Sequence, residues 1–82
     1  MDIAILGAPR ESYCAYAAGV RREYSHVADF AFAAGRGAFL AKQLELTRIF
    51  RTDLYESELG AVARANIAWE LEEMRQKHTV NN

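Results

Sequence analysis

Apolar side chains fall along this sequence in three stretches at helical spacing, parted by short runs where the spacing lapses. Between residues 10 and 27, Tyr13, Tyr16, Ala17, Val20, Tyr24 and Val27 make one stripe, with Arg21, Arg22 and Glu23 mainly on the far side. Between 29 and 46 the stripe is Phe30, Ala33, Ala34, Gly37, Leu40, Ala41 and Leu44, most of it small. Between 53 and 77, Leu59, Val62, Ala63, Ile67, Leu71 and Met74 share a face with Trp69 on its flank, and the basic Arg75 and Lys77 stand near the end. A stub over residues 1–7 stops at Gly7-Ala8-Pro9, because proline cannot continue a helical ladder. Residues 78–82 read as a frayed polar tail. The pattern therefore predicts one all-α domain over residues 1–82, a bundle of three main helices plus a short N-terminal helical stub.

Local chemistry supplies the boundaries. Asp29 is placed to cap the second helix. Thr52 offers a capping oxygen to the third, with Asp53 and Glu56 in its first turn, where a negative charge suits the helix dipole. Thr47 to Arg51 reads as a short connection. Gly35 and Gly37 each cost about 1 kcal/mol of helix propensity relative to alanine, so a close neighbour is expected against them, and the tyrosine face of the first helix is the natural one.

With 82 residues, the chain buries only about 60% of its unfolded surface, and a core this small is marginal alone. Self-association is expected, most simply a homo-oligomer in the form of a two-fold dimer that packs helix on helix. Ten basic against eleven acidic side chains, a formal net charge of -1, argue against nucleic acid and against an anionic membrane surface. Residues 53–82 hold three basic and six acidic groups while residues 1–52 hold seven and five, so opposed charge can orient the long helix against the others or against another copy. The apolar run Ile3 to Leu6 is too short for a signal peptide or a membrane span. The single Cys14 has no partner for an internal disulfide, which fits a reducing, cytoplasmic setting.

Candidate chemistry is sparse. His26 and His78 lie in different elements, form no His-x-x-x-His pair, and read as surface or capping residues. Cys14 lacks an oriented base nearby and reads as a packing residue. Gly35-Arg36-Gly37 lies inside a helical pattern and lacks the ending of a phosphate loop. Arg36 reads as half of an ion pair, ahead of contact with an anionic group. Asn66 sits among Val62, Ala63 and Ile67, where a half-buried amide must find partners, and a structural tie between helices is expected. Tyr24, Gly35, Arg36, Gly37 and Asn66 are thus expected to serve structure. Glu70, Glu72 and Glu73 can in principle offer carboxylates to a metal pair, but without histidines they read as a solvated face.

Four segments in order, Tyr16 to Val27 (Tyr-Ala-Ala-Gly-Val-Arg-Arg-Glu-Tyr-Ser-His-Val), Phe32 to Arg36 (Phe-Ala-Ala-Gly-Arg), Arg48 to Thr52 (Arg-Ile-Phe-Arg-Thr) and Ala63 to Asn66 (Ala-Arg-Ala-Asn), give the chain a further likeness. It resembles the C-terminal part of the predicted metal-dependent phosphohydrolases of the HD superfamily, in an uncharacterised bacterial branch, from Asp2 to about Leu71. That resemblance implies a helical bundle in which a His, a His-Asp pair and a later Asp hold a divalent metal such as Mn, Mg or Fe, which activates water against a phosphate ester. Asp2, in Asp2-Ile3-Ala4-Ile5-Leu6-Gly7, resembles the last of these ligands. No His-Asp dipeptide occurs among the 82 residues, so one carboxylate is left of the implied metal site and no catalytic residue is assigned. Three expectations stay open: a truncated gene product, a half that pairs with a separate HD-bearing chain, or a short relative that kept its helices for association. A helical adaptor for an unrelated protein is a further alternative.

Overall fold

A computed structural model describes residues 4–79. Every regular element among them is helical: a 3₁₀ turn at Ala4–Gly7, then α1 (Arg10–Glu23), α2 (Asp29–Glu45) and α3 (Asp53–Thr79). The all-α bundle is what the apolar spacing predicts.

Pro9 fixes the entry into α1, with its carbonyl accepting from the Tyr13 amide at 2.9 Å. The helix ends at Glu23, four residues before the boundary that the spacing suggests, because Arg21 folds back over the next segment. Its guanidinium donates to the carbonyls of Tyr24 (2.7 Å) and Val27 (3.0 Å) and meets the Asp29 carboxylate at 2.6 Å. A cation that satisfies the last carbonyls of a helix stabilises its termination. The same contact corrects the role expected of Asp29. Ala28 occupies the capping position of α2 and no side chain caps it, while Asp29 is the first helical residue.

The far end of α2 is closed by α3. Arg64 donates to the carbonyls of Leu44 (3.5 Å), Leu46 (3.0 Å) and Thr47 (3.1 Å), which places a positive charge at the negative end of the α2 dipole. The connection that follows is more than a spacer. Ile49 and Phe50 are buried in the core, and Glu56 Oε1 accepts from both of their amides, at 2.7 and 2.9 Å. The Phe50 amide is the largest influence holding the Glu56 carboxyl below its ordinary range, with Ile49, Arg64 and Arg48 adding to it against partial desolvation. Thr52 Oγ1 accepts from the Tyr55 amide at 3.2 Å and caps α3.

α3, 27 residues long, is the spine of the molecule. At 1.5 Å per residue it reaches about 40 Å, which accounts for the longest dimension of 42 Å. Its inner side carries the fully buried Ala63 and Ile67, and Leu6, Tyr13, Leu40, Ile49 and Phe50 close over them. The backbones of α2 and of the N-terminal turn both approach α3, whereas α1 approaches chiefly the turn. At Gly7 an added Cβ falls 2.6 Å from Leu59 Cβ and 3.1 Å from the Leu59 carbonyl, so the turn lies directly on the spine. The helix runs through Thr79, which places His78 and Thr79 inside it and corrects the expected tail; Val80 to Asn82 lie outside the described residues.

The two glycines of α2 behave differently from the expectation. A Cβ on Gly37 meets Met74 and Leu71 of α3 at 3.8 and 3.9 Å, ordinary contact, and not the tyrosines of α1. A Cβ on Gly35 meets nothing within 4 Å. The tyrosine stripe sends Tyr13 inward to α3 and leaves Tyr24 half-exposed, so it does not form the wall against which both glycines were expected to pack.

Two substitutions separate these environments. Gly7→Ala is expected to lose about 1–3 kcal/mol through overpacking against Leu59. Gly35→Ala is expected to add up to about 1 kcal/mol of helix propensity in open space. Each kcal/mol corresponds to roughly 4–8 °C in the melting temperature of a domain this size. Thermal unfolding followed by circular dichroism checks both signs.

Candidate functional site

Four polar side chains from three helices converge beside the core. Tyr13 and Tyr16 come from successive turns of α1, Arg36 from the middle of α2, and Glu70 from α3. Arg36 Nε donates to Glu70 Oε2 at 2.8 Å and Nη2 donates to Oε1 at 3.0 Å, a two-pronged pairing that suits the planar guanidinium. The Tyr13 hydroxyl donates to Glu70 Oε1 at 2.5 Å, and Tyr16 accepts from Arg36 Nη1 at 3.3 Å. The guanidinium also lies over the rings of Tyr16 and Phe39, 5.2 and 5.6 Å from their centroids.

Burial decides what this cluster can do. The side chains of Arg36 and Glu70 are 8% and 9% exposed, and Tyr13 is fully covered. Desolvation, then the hydrogen bond and charge of Glu70, raise the Tyr13 hydroxyl well above its ordinary value, so it stays a donor. Desolvation alone lowers the Arg36 guanidinium, but the bonds to Glu70 and Tyr16 outweigh it and the net shift is upward. Among the described residues no buried side-chain nitrogen or oxygen lacks a partner. Both Glu70 oxygens are engaged, Oε1 with Tyr13 and Arg36 and Oε2 with Arg36. The placement of Glu70 corrects the solvated face expected of the acidic cluster. Glu72 pairs with Arg75 at the surface and Glu73 is exposed, as a solvated pair would be.

A second tie lies one turn earlier on α3. Asn66, 1% exposed, donates through Nδ2 to the carbonyls of Leu6 (2.9 Å) and Ala8 (2.8 Å), while its Oδ1 accepts from Arg10 Nε at 2.8 Å. Arg10 is held in turn over the Trp69 ring, 5.1 Å from its centroid. Asn66 therefore binds the N-terminal turn and the start of α1 to the spine, and uses both ends of its amide to do so.

Between α1 and α2 an open groove of about 830 Å³ is left, with Ile5, Tyr16, Val20, Tyr24, Phe32 and Phe39 among its walls. Tyr24 and Phe39 on its rim are 49% and 42% exposed. Tyr24 meets Phe32 across the groove, ring centroids 6.2 Å apart. Gly19 and Gly35 sit on opposite walls, and added methyl groups there meet, respectively, only the flexible end of Arg22 and open space. The floor holds Arg36, already paired. The groove is mostly apolar, with Arg36 neutralised by Glu70 and the exposed Glu23 at its edge, so it suits another largely apolar surface better than an anionic small molecule.

The remaining candidates are dispersed. Cys14 is half-buried on the opposite side of α1, and His26 is exposed in the turn after α1. Among the described residues no three His, Cys, Asp or Glu side chains gather as a metal site. Asp2, the one residue with an implied metal role, lies outside the described residues. Glu70 was legible in principle: with Ala63, Ile67 and Met74 it falls on the inner stripe of α3, and a carboxylate on such a stripe needs a cation opposite it. No family model matches this chain, and no curated protein or solved structure is significantly similar to it.

Removing one member of the buried pair strands the other. Glu70→Leu or Arg36→Met is expected to cost about 3–5 kcal/mol, and the double variant less than the sum of the two. Denaturant unfolding of all four proteins checks this. Tyr13 supplies a pH signature. Its folded value lies above the 10.0 of an unfolded tyrosine. The native chain therefore keeps a proton that the unfolded chain gives up. The stability it contributes is complete below pH 10 and is lost as pH rises from there through the raised folded value. Tyr13→Phe is expected to flatten that alkaline decline in a pH series of unfolding curves.

Proposed function

We propose that this chain is a catalytically incomplete helical domain resembling the C-terminal part of an HD-superfamily metal-dependent phosphohydrolase, which acts by association through its apolar faces in the cytoplasm. The observation that carries the reading is the groove between α1 and α2. It leaves large apolar and aromatic side chains, Tyr24, Phe32 and Phe39 among them, around an open channel in a molecule whose own core is small. An apolar channel of this kind on a small domain marks an interaction surface. A second copy of the chain is the simplest occupant, giving a homodimer.

Metal chemistry enters this reading only through the sequence likeness. Asp2 is the one ligand that the likeness assigns to these residues, and the His and His-Asp ligands have to come from elsewhere. If the remaining ligands were supplied, a divalent ion held there with Asp2 would activate water for attack on a phosphate ester. A second reading, a hydrolase completed by a separate HD-bearing chain seated in the groove, draws on the same uncovered surface. Among the described residues no helix is long and apolar enough to cross a membrane.

Sedimentation velocity over a micromolar concentration series is expected to show a dimer in exchange with monomer. Gly35→Leu, which adds a side chain to the open wall without an internal clash, is expected to weaken that dimer while the helical spectrum is retained. A folded monomer at every concentration overturns the association. With manganese and bis(p-nitrophenyl) phosphate, the chain alone is expected to show no turnover. Turnover abolished by Asp2→Ala overturns the incomplete-site reading.

A further inference from the structure

We draw no further inference here: the strongest candidate, the outward face of α3 along Ala61, Ala65 and Ala68 beside the exposed Val62, is a stripe of small side chains and nothing in the structure shows what covers it.

Discussion

The pairing of Arg36 with Glu70 is the contact on which the arrangement of the three helices turns. Two opposite charges are withdrawn from water near the middle of the bundle, and each is costly alone. Because each guanidinium and carboxylate edge has one favourable direction, the pair sets the rotation of α2 about its axis relative to α3. Tyr13 then uses the same carboxylate to bring α1 to the pair. An apolar contact tolerates sliding; a three-membered polar cluster with every atom partnered does not.

The rest of the fold repeats this device at smaller scale. Asn66 secures the N-terminal turn, Glu56 draws the Ile49-Phe50 connection into the core, Arg64 closes α2, and Arg21 closes α1. Three of these ties run from α3 to backbone groups of other segments, and Arg21 serves the carbonyls of the turn that follows its own helix. A chain with a small apolar core gains specificity in this way, since each tie accepts one geometry. The result is a spine with α2 and the N-terminal turn laid along it and α1 attached at its first half. Between α1 and α2 lies the apolar groove on which the proposed association depends.

The helices were legible because their apolar spacing is regular, and the cap at Thr52 because its oxygen acts within its own turn. What escaped was set by contacts distant in sequence. The end of α1 depends on Arg21 reaching forward to Val27 and Asp29, which the stripe through Tyr24 and Val27 masks. The burial of Ile49 and Phe50 depends on Glu56 drawing their amides inward, and a seven-residue connection with no period carries no sign of it. Gly35 and Gly37 share one motif, yet one faces α3 and the other faces open space, a difference of 200° around the helix at about 100° per residue. Arg36 carried a visible need for a partner. Its partner was hidden in an acidic run in which Glu70 faces inward while Glu72 and Glu73 face water.

Native-state hydrogen exchange in the wild-type chain and in Glu70→Leu tests most directly whether the polar cluster holds α1 in place. With the cluster intact, amides in the middle of α1 are expected to exchange nearly as slowly as those around Ile67. In the variant, α1 is expected to lose protection well ahead of the Ala63 to Ile67 segment, because the apolar contacts of α3 with α2 and the N-terminal turn remain. Protection in α1 that is unchanged by the substitution, or that falls only in step with α3, contradicts the account.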